Sequence, residues 1–268
     1  MSENNERTET FEVTGPLHAS VTTRSGDIAV RTGEATELRV RLRADSSKYE
    51  HLLESAQVLF NPESNQLDVR TQPRDHDGSS KGRGGKLKVS WFEFGGSDLD
   101  VMVVLPAGSS LEVKTVSGDV ALQGPLDSVG VSSVSGDVDV TDPCDTLEVR
   151  TTSGDVNVGG VRRTLKCRSA SGDVACLSAA TATELTSASG DVDLAISQPG
   201  QLVIKAVSGD VHVRVARGLV VDVNANSVSG ELGSNIDFDK TSDLPGDEVQ
   251  VYVKVTTVSG DIRIDKTS

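Results

Sequence analysis

The sequence predicts an all-β protein: a right-handed parallel β-solenoid (β-helix) of about 18 residues per coil with a β-rich N-terminal cap. Three observations carry that expectation. One tripeptide recurs at near-constant spacing, apolar and polar residues alternate on either side of it, and aromatic side chains make up only 3% of the chain.

The tripeptide is Ser-Gly-Asp, followed by an aliphatic residue. It stands at Ser117-Gly118-Asp119-Val120, Ser135-Gly136-Asp137-Val138, Ser153-Gly154-Asp155-Val156, Ser171-Gly172-Asp173-Val174 and Ser189-Gly190-Asp191-Val192, each copy eighteen positions after the one before. The interval then widens to 19 at Ser208-Gly209-Asp210, 21 at Ser229-Gly230-Glu231 and 30 at Ser259-Gly260-Asp261, and one copy, Ser25-Gly26-Asp27, lies far upstream. A fixed period of this size marks a solenoid, in which each repeat is one coil that buries its face against its neighbours.

Residues 1–105 come first and read as the cap. Alternating runs at Val21–Val30, Glu37–Arg43, Gln57–Asn61, Gln66–Thr71 and Asp98–Leu105 suggest strands with longer connections, and Ser47–Ser55 suggests a brief helix. A solenoid end leaves backbone and apolar side chains unpartnered and needs such a cover. The copy at Ser25-Gly26-Asp27 marks a candidate first coil within it.

Residues 106–268 read as the solenoid itself. Six residues before each motif serine stand Leu111, Val129, Leu147, Leu165, Thr183 and Leu202, and four before it Val113, Val131, Val149, Cys167, Leu185 and Ile204. Three after it stand Val120, Val138, Val156, Val174, Val192 and Val211. Polar residues such as Glu112, Arg150 and Asp193 fall between, so each coil holds two short strands with one face in a shared core. Glycine turns the corner between them, while Pro125, Pro143 and Pro199 mark the opposite corner, where no ladder donor is needed. A left-handed hexapeptide helix would need an aliphatic every sixth residue, and the series Leu111, Ser117, Gln123 breaks that rule. Parallel crossovers favour the right hand. The chain closes with an acidic insertion near residues 233–248, a last strand at Val249–Val258 and a terminal turn.

Composition limits function. The formal charge is −14, with residues 1–105 carrying 13 basic and 17 acidic side chains and residues 106–268 carrying 13 and 23. Such a surface repels phosphate backbones and anionic headgroups, so no nucleic-acid partner is expected. No apolar leader follows Met1 and no apolar run is of membrane-spanning length, so no transmembrane segment is expected and the default compartment is cytoplasmic. The three cysteines lack metal-ligand spacing: Cys167 and Cys176 fall on core positions, and Cys144 on a coil-to-coil turn as a free thiol.

The reiterated Thr/Ser-Val-Ser-Gly-Asp-Val, preceded by Val103-Val104-Leu105-Pro106-Ala107-Gly108, resembles the bacterial Ser-Gly-Asp-Val β-strand-repeat family of unknown function that goes by the name putative adhesin. The resemblance spans about residues 100–268 strongly and the preceding part loosely. It implies a β-helix with a binding or envelope-associated scaffolding role and supplies no catalytic residues.

Stacking places Asp119, Asp137, Asp155, Asp173, Asp191 and Asp210 in a vertical row that Glu231 can extend. Unit charges about 4.8 Å apart repel by roughly 1 kcal/mol per neighbouring pair in water. Either turn amides and hydroxyls satisfy these carboxylates, or they form a calcium ladder; one Gly-Asp per coil gives the calcium reading few ligands. A hydroxyl row, Thr115/Ser117 through Ser187/Ser189, has the regularity of an ice-binding face, but its parity turns the hydroxyls inward. The loop from Lys81 to Gly96 gathers four positive charges and three of the eight aromatics, and Lys86, Lys88, Trp91, Phe92 and Phe94 are candidate partner contacts. No nucleophile motif, phosphate loop or metal cluster is present, so the chain is expected to be no enzyme and to use no cofactor. The expected function is non-enzymatic binding or scaffolding of an unknown protein or glycan partner. A β-helix carbohydrate-active enzyme and a calcium-binding repeat protein are the alternatives.

Overall fold

The structure, a computed structural model, describes residues 5–33, 36–44, 50–71, 99–236 and 250–267. The chain opens with β1 (Glu6–Glu12), β2 (His18–Thr22), β3 (Ile28–Gly33), β4 (Glu37–Ala44), a short helix α1 (Glu50–Ser55), β5 (Gln57–Asn61), β6 (Gln66–Arg70) and β7 (Leu99–Pro106). Two strands per repeat follow: β8 (Ser110–Lys114) and β9 (Val120–Gln123), β10 (Ser128–Ser135) and β11 (Val138–Val140), β12 (Cys144–Ser153) and β13 (Val156–Val158), β14 (Val161–Ser171) and β15 (Val174–Cys176), β16 (Ala182–Ser189) and β17 (Val192–Ile196), β18 (Gly200–Ser208) and β19 (Val211–Val215). Last come β20 (Val221–Ser229), β21 (Leu232–Ser234), β22 (Val251–Ser259) and β23 (Ile262–Lys266).

Alternation forces each strand to bury every second side chain, and the repeat interval fixes which residues stack. Leu111, Val129, Leu147, Leu165, Thr183 and Leu202 are successive register partners across β8, β10, β12, β14, β16 and β18. Val120, Val138, Val156, Val174, Val192 and Val211 are their counterparts in the other sheet. All these pairings are parallel, and they build an 11-stranded and a 12-stranded sheet whose inner faces share one aliphatic core. Each inward Val or Leu contributes about 1.5–3 kcal/mol by leaving water, so the columns hold the stack together without aromatic anchors.

Near the amino end the expected run Val21–Val30 is two strands, because Gly26, with φ 98°, bends the chain at the same corner as in the later repeats. β2 and β3 stack in parallel on β8 and β9. Beyond them β6 and β7 add in parallel, β4 adds antiparallel to β7 and β1 antiparallel to β4, and β5 adds antiparallel to β6. The helix occupies Glu50–Ser55 and buries Leu53 against this end.

At the other end the coils do not stack in chain order. β22 lies between β18 and β20, and β23 between β19 and β21, so the last segment of chain is inserted beneath the one before it. The apolar content explains the exchange: Val251, Val253, Val255, Ile262 and Ile264 are buried, whereas β20 and β21 offer Val221, Val223, Ala225 and an exposed Leu232. Greater apolar burial belongs to the coil covered on both sides. The expected last strand is β22, and a further strand rather than a turn alone follows it. The strand Leu232–Ser234 runs into the start of the expected acidic insertion, and most of the rest of it falls within residues 237–249, which lie outside the described residues.

Candidate functional site

The Ser-Gly-Asp corners form one continuous edge of the molecule. A Cβ added to Gly154 would meet the carbonyl oxygen of Gly136 at 2.2 Å, and its φ is 123°, so both close stacking and backbone conformation demand glycine. The hydroxyl two residues before the motif serine turns inward and donates to that serine's carbonyl, as from Thr151 to Ser153 at 3.1 Å and from Ser169 to Ser171 at 3.1 Å. Thr115, Ser133, Thr151, Ser169 and Ser187 are buried and serve the main chain, whereas the motif serines Ser117, Ser135, Ser153, Ser171 and Ser189, expected to turn inward with them, are exposed at the corner.

The carboxylates of the row answer one another's backbone. Oδ1 of Asp119 accepts the main-chain N–H of Asp137 at 2.9 Å, Asp137 that of Asp155, Asp155 that of Asp173, Asp173 that of Asp191, and Asp191 that of Asp210, the last four each at 2.8 Å. All six residues singled out in the sequence therefore stand in one ladder. It runs further than the sequence suggested: Asp100 accepts from Asp27, Asp27 from Asp119, Asp210 from Asp261, and Asp261 from Glu231. Asp27 and Asp261 carried the tripeptide as a signal, whereas Asp100, in the context Ser-Asp-Leu-Asp, carried none. Each carboxylate turns one oxygen to an amide, which offsets the repulsion along the row. Among the described residues no group of three or more His, Cys, Asp or Glu has the geometry to hold a metal ion.

The outward faces of the two sheets carry shallow troughs. One, of about 660 Å³, crosses β2, β8, β10 and β12, where Ser20, Ser110, Gly130 and Ser132 leave a low floor beside the ion pairs Asp68–Arg70 and Glu148–Arg150. The other, of about 800 Å³, crosses β4, β7, β3 and β9 on the opposite sheet over Ala29, Met102, Val104 and Ala121. Arginines rim it. Arg41 forks onto Glu6 at 3.0 and 2.6 Å and Arg39 pairs with Glu37, while Arg31 is exposed and has no ion-pair partner among the described residues. It is a local basic spot on an acidic chain.

On the face of the 12-stranded sheet, His212 Nε2 lies 3.3 Å from Asp265 Oδ2, and that oxygen accepts from Arg263 at 2.5 Å. The hydrogen bond from Arg263, with help from His212, holds the Asp265 carboxyl below the usual carboxylate range. No motif in the sequence marks this pair: Asp265 is 53 positions along the chain from His212 and joins it only through the inserted last coil. Cys167 and Cys176 occupy core positions, and Cys144 opens β12 with its side chain buried rather than standing in a turn. Burial pushes their thiols up to about 12, 11 and 11 respectively. The proposed contacts Lys86, Lys88, Trp91, Phe92 and Phe94 lie outside the described residues. No helix among the described residues is long and apolar enough to cross a membrane.

No curated protein matches the chain. Among solved structures it is similar to a protein named putative adhesin from Parabacteroides distasonis, 14% identical, with 99% of this chain and 98% of that chain covered and a TM-score of 0.54. A second Parabacteroides distasonis protein, named putative lipid binding protein, is 14% identical over 99% and 98% of the two chains with a TM-score of 0.49. A putative adhesin from Bacteroides fragilis is 14% identical over the same shares with a TM-score of 0.39. The first of these shows a shared fold at an identity that speaks of fold alone. The family model described as Toastrack DUF4097 matches residues 18–265, from the first strand of the parallel stack to the last, and the chain belongs to that family.

Proposed function

We propose that the chain is a non-enzymatic binding or scaffolding module, adhesin-like in kind, which presents the outer faces of a right-handed solenoid to a protein or glycan partner. Its coil length is the interval of the motif, about 18 residues. The observation that supports this most is the self-satisfied ladder. The one motif repeated throughout the chain directs its carboxylates to the next coil's amides and its hydroxyl neighbours to the main chain, so repetition serves stacking. What varies from coil to coil is the outward surface. That is where recognition belongs, and the acidic charge of −14 favours a neutral or basic partner over nucleic acid.

The two troughs are the surfaces to test. Gly130 has no positive φ and its nearest neighbour to an added Cβ is 4.0 Å away, so the position admits a side chain and Gly130→Trp places a bulky one in the serine-floored trough. Arg31→Glu reverses the charge at the rim of the other. A glycan array and a pull-down from the source cell, run with the parent chain and both variants, should return a ligand whose capture falls at least tenfold with one variant and not the other. Turnover of a glycan that disappears when outward carboxylates such as Asp139 or Asp193 are neutralised would replace this reading with an enzymatic one.

A further inference from the structure

Along the solenoid axis the serine-floored trough has a regular profile, and the stacking register sets it. On β6, β8 and β12 an acid and a cation two residues apart face outward and pair with each other: Asp68 with Arg70, Glu112 with Lys114 at 2.7 Å, and Glu148 with Arg150. The strands between them, β2 and β10, put small residues at the same register positions, Ser20 and Thr22 on one and Gly130 and Ser132 on the other. Ridges of paired charge therefore alternate with low depressions. The two depressions lie two strand spacings apart, about 9.6 Å. The alternation stops at β14, where Lys166 and Arg168 stack on Glu148 and Arg150.

From this profile we infer that the trough takes a neutral, linear glycan laid along the solenoid axis, with every second ring seated in a depression. The inference rests on the reading of the chain as a binding module and names the ligand class for one of its two surfaces. Each ridge is neutralised within itself, so the trough offers no net charge to an ionic ligand, unlike the arginine-rimmed trough on the other sheet. What it offers is hydroxyls. Ser20, Ser110, Ser128 and Ser132 line it and form no side-chain hydrogen bond with another described residue, so each keeps one donor and its acceptor lone pairs for a ligand. A sugar hydroxyl answers both functions at once. The apolar residues beside the floor, Leu111 and Val131, are buried inward, which leaves an acyl chain or an amphipathic helix nothing to cover. An extended peptide fares no better, because β8 and β10 are paired on both sides and present no free edge for a further strand. Two like depressions in line match a chain of rings in which alternate members face the same way.

Calorimetric titration of the full chain with β-1,4-linked glucose and N-acetylglucosamine oligosaccharides of two, four and six rings tests this. For one of the two sugars, affinity should rise about tenfold or more from two rings to six, as one chain gains the second depression. It should hold between low and high salt, because no net charges are brought together. Gly130→Trp should keep the parent's circular dichroism and erase the gain with length. Ser128→Trp, at an exposed position in the same trough, should do the same and serves if the first variant does not fold. Arg31→Glu should leave the titration unchanged. Affinity that is flat with ring number overturns the inference, as does a galacturonate oligosaccharide that binds more tightly and is released by salt, or the absence of binding by every neutral oligosaccharide at millimolar concentration. A ligand of any kind that is lost with Arg31→Glu and kept by Gly130→Trp overturns this assignment and leaves the binding-module reading standing; that reading falls only if neither trough captures a partner.

Discussion

Asp155 Oδ1 accepts the main-chain N–H of Asp173 at 2.8 Å, so a side chain of one coil closes the backbone of the next. The bond belongs to neither coil alone. It also explains why aspartate, with its short side chain, is repeated although like charges are brought into a row: its carboxylate oxygen reaches one strand spacing and no further. The fixed partner is the following coil's amide, not an amide of its own turn.

The first prediction follows from that geometry. Asp155→Asn keeps an acceptor at the same place and removes a charge, so its stability should stay within about 0.5 kcal/mol of the parent, while Asp155→Ala should cost about 1 kcal/mol by leaving the Asp173 amide to water. Urea titration of both variants measures the difference. A melting temperature that rises with millimolar calcium, is unmoved by matched ionic strength and loses the rise in Asp155→Asn would instead mark the row as a calcium ladder.

Gly154 stands where the backbone of the preceding corner passes closest. Gly154→Ala drives a Cβ to 2.2 Å from the Gly136 carbonyl oxygen at a φ of 123° and should cost at least ~3 kcal/mol. Gly233, with open space around its Cβ and no positive φ, is the control: Gly233→Ala should change stability by less than about 0.5 kcal/mol. Similar losses at both positions in thermal melts would show that close stacking is not what keeps glycine at the corner.

These corners were legible in the sequence because glycine, aspartate and the alternating aliphatics each have one physical role and recur in phase. The exchange of the last two coils was not legible. Register constrains which residue stacks over which, and Val223 would suit the place beside Leu202 that Val253 takes; the order is decided by how much apolar surface each coil brings, a sum over several residues with no motif. The weak signals were the leucine and alanine at Leu232 and Ala225 and the lost aspartate at Glu231. Asp100 escaped for another reason: it reaches the ladder from a strand, β7, that joins the stack through a parallel partner, β3, far upstream in the chain. Pairings of that kind also hid Asp265 from His212.

Asp265 supplies an acid-limb prediction. Its folded pKa is lowered, first by the hydrogen bond from Arg263, so the stabilisation it contributes is present above the unfolded carboxylate pKa and is lost as pH falls through the folded one. Asp265→Asn should therefore be less stable than the parent at neutral pH, with the difference shrinking below about pH 4. Denaturant unfolding at a series of pH values measures this, and a difference that does not shrink with acid would assign the effect to packing.

The cysteines set the alkaline limb with the opposite sign. Folding keeps all three thiols protonated, with Cys167 pushed up to about 12 by burial, so unfolded thiolates form first as pH rises and folded stability should decline above about pH 8.5. In the native protein a chromogenic disulfide reagent should find none of the three free cysteines reactive at neutral pH, and all three after denaturation. Cys167→Val should flatten the decline between neutral pH and about pH 10. Rapid labelling of the native protein at neutral pH would contradict the burial on which this rests.

The longest-range consequence of quasi-one-dimensional stacking is that a coil can be removed whole. Deleting residues 155–172 splices Gly154 to Asp173 and shortens the chain by one full repeat, in phase with the register. β12 then turns directly into β15, Leu147 meets Thr183 where it met Leu165, Val138 meets Val174 where it met Val156, and Asp137 accepts from Asp173. Every lost contact is replaced by one of the same kind, since each coil touches only its neighbours. The shortened protein should unfold in one cooperative transition at a lower midpoint, with the parent's β-type circular dichroism. A deletion of half the repeat is the necessary comparison, because it places an inward column against a corner and should abolish the transition. If both deletions fold equally well, or neither folds, the coil is not the unit of this structure.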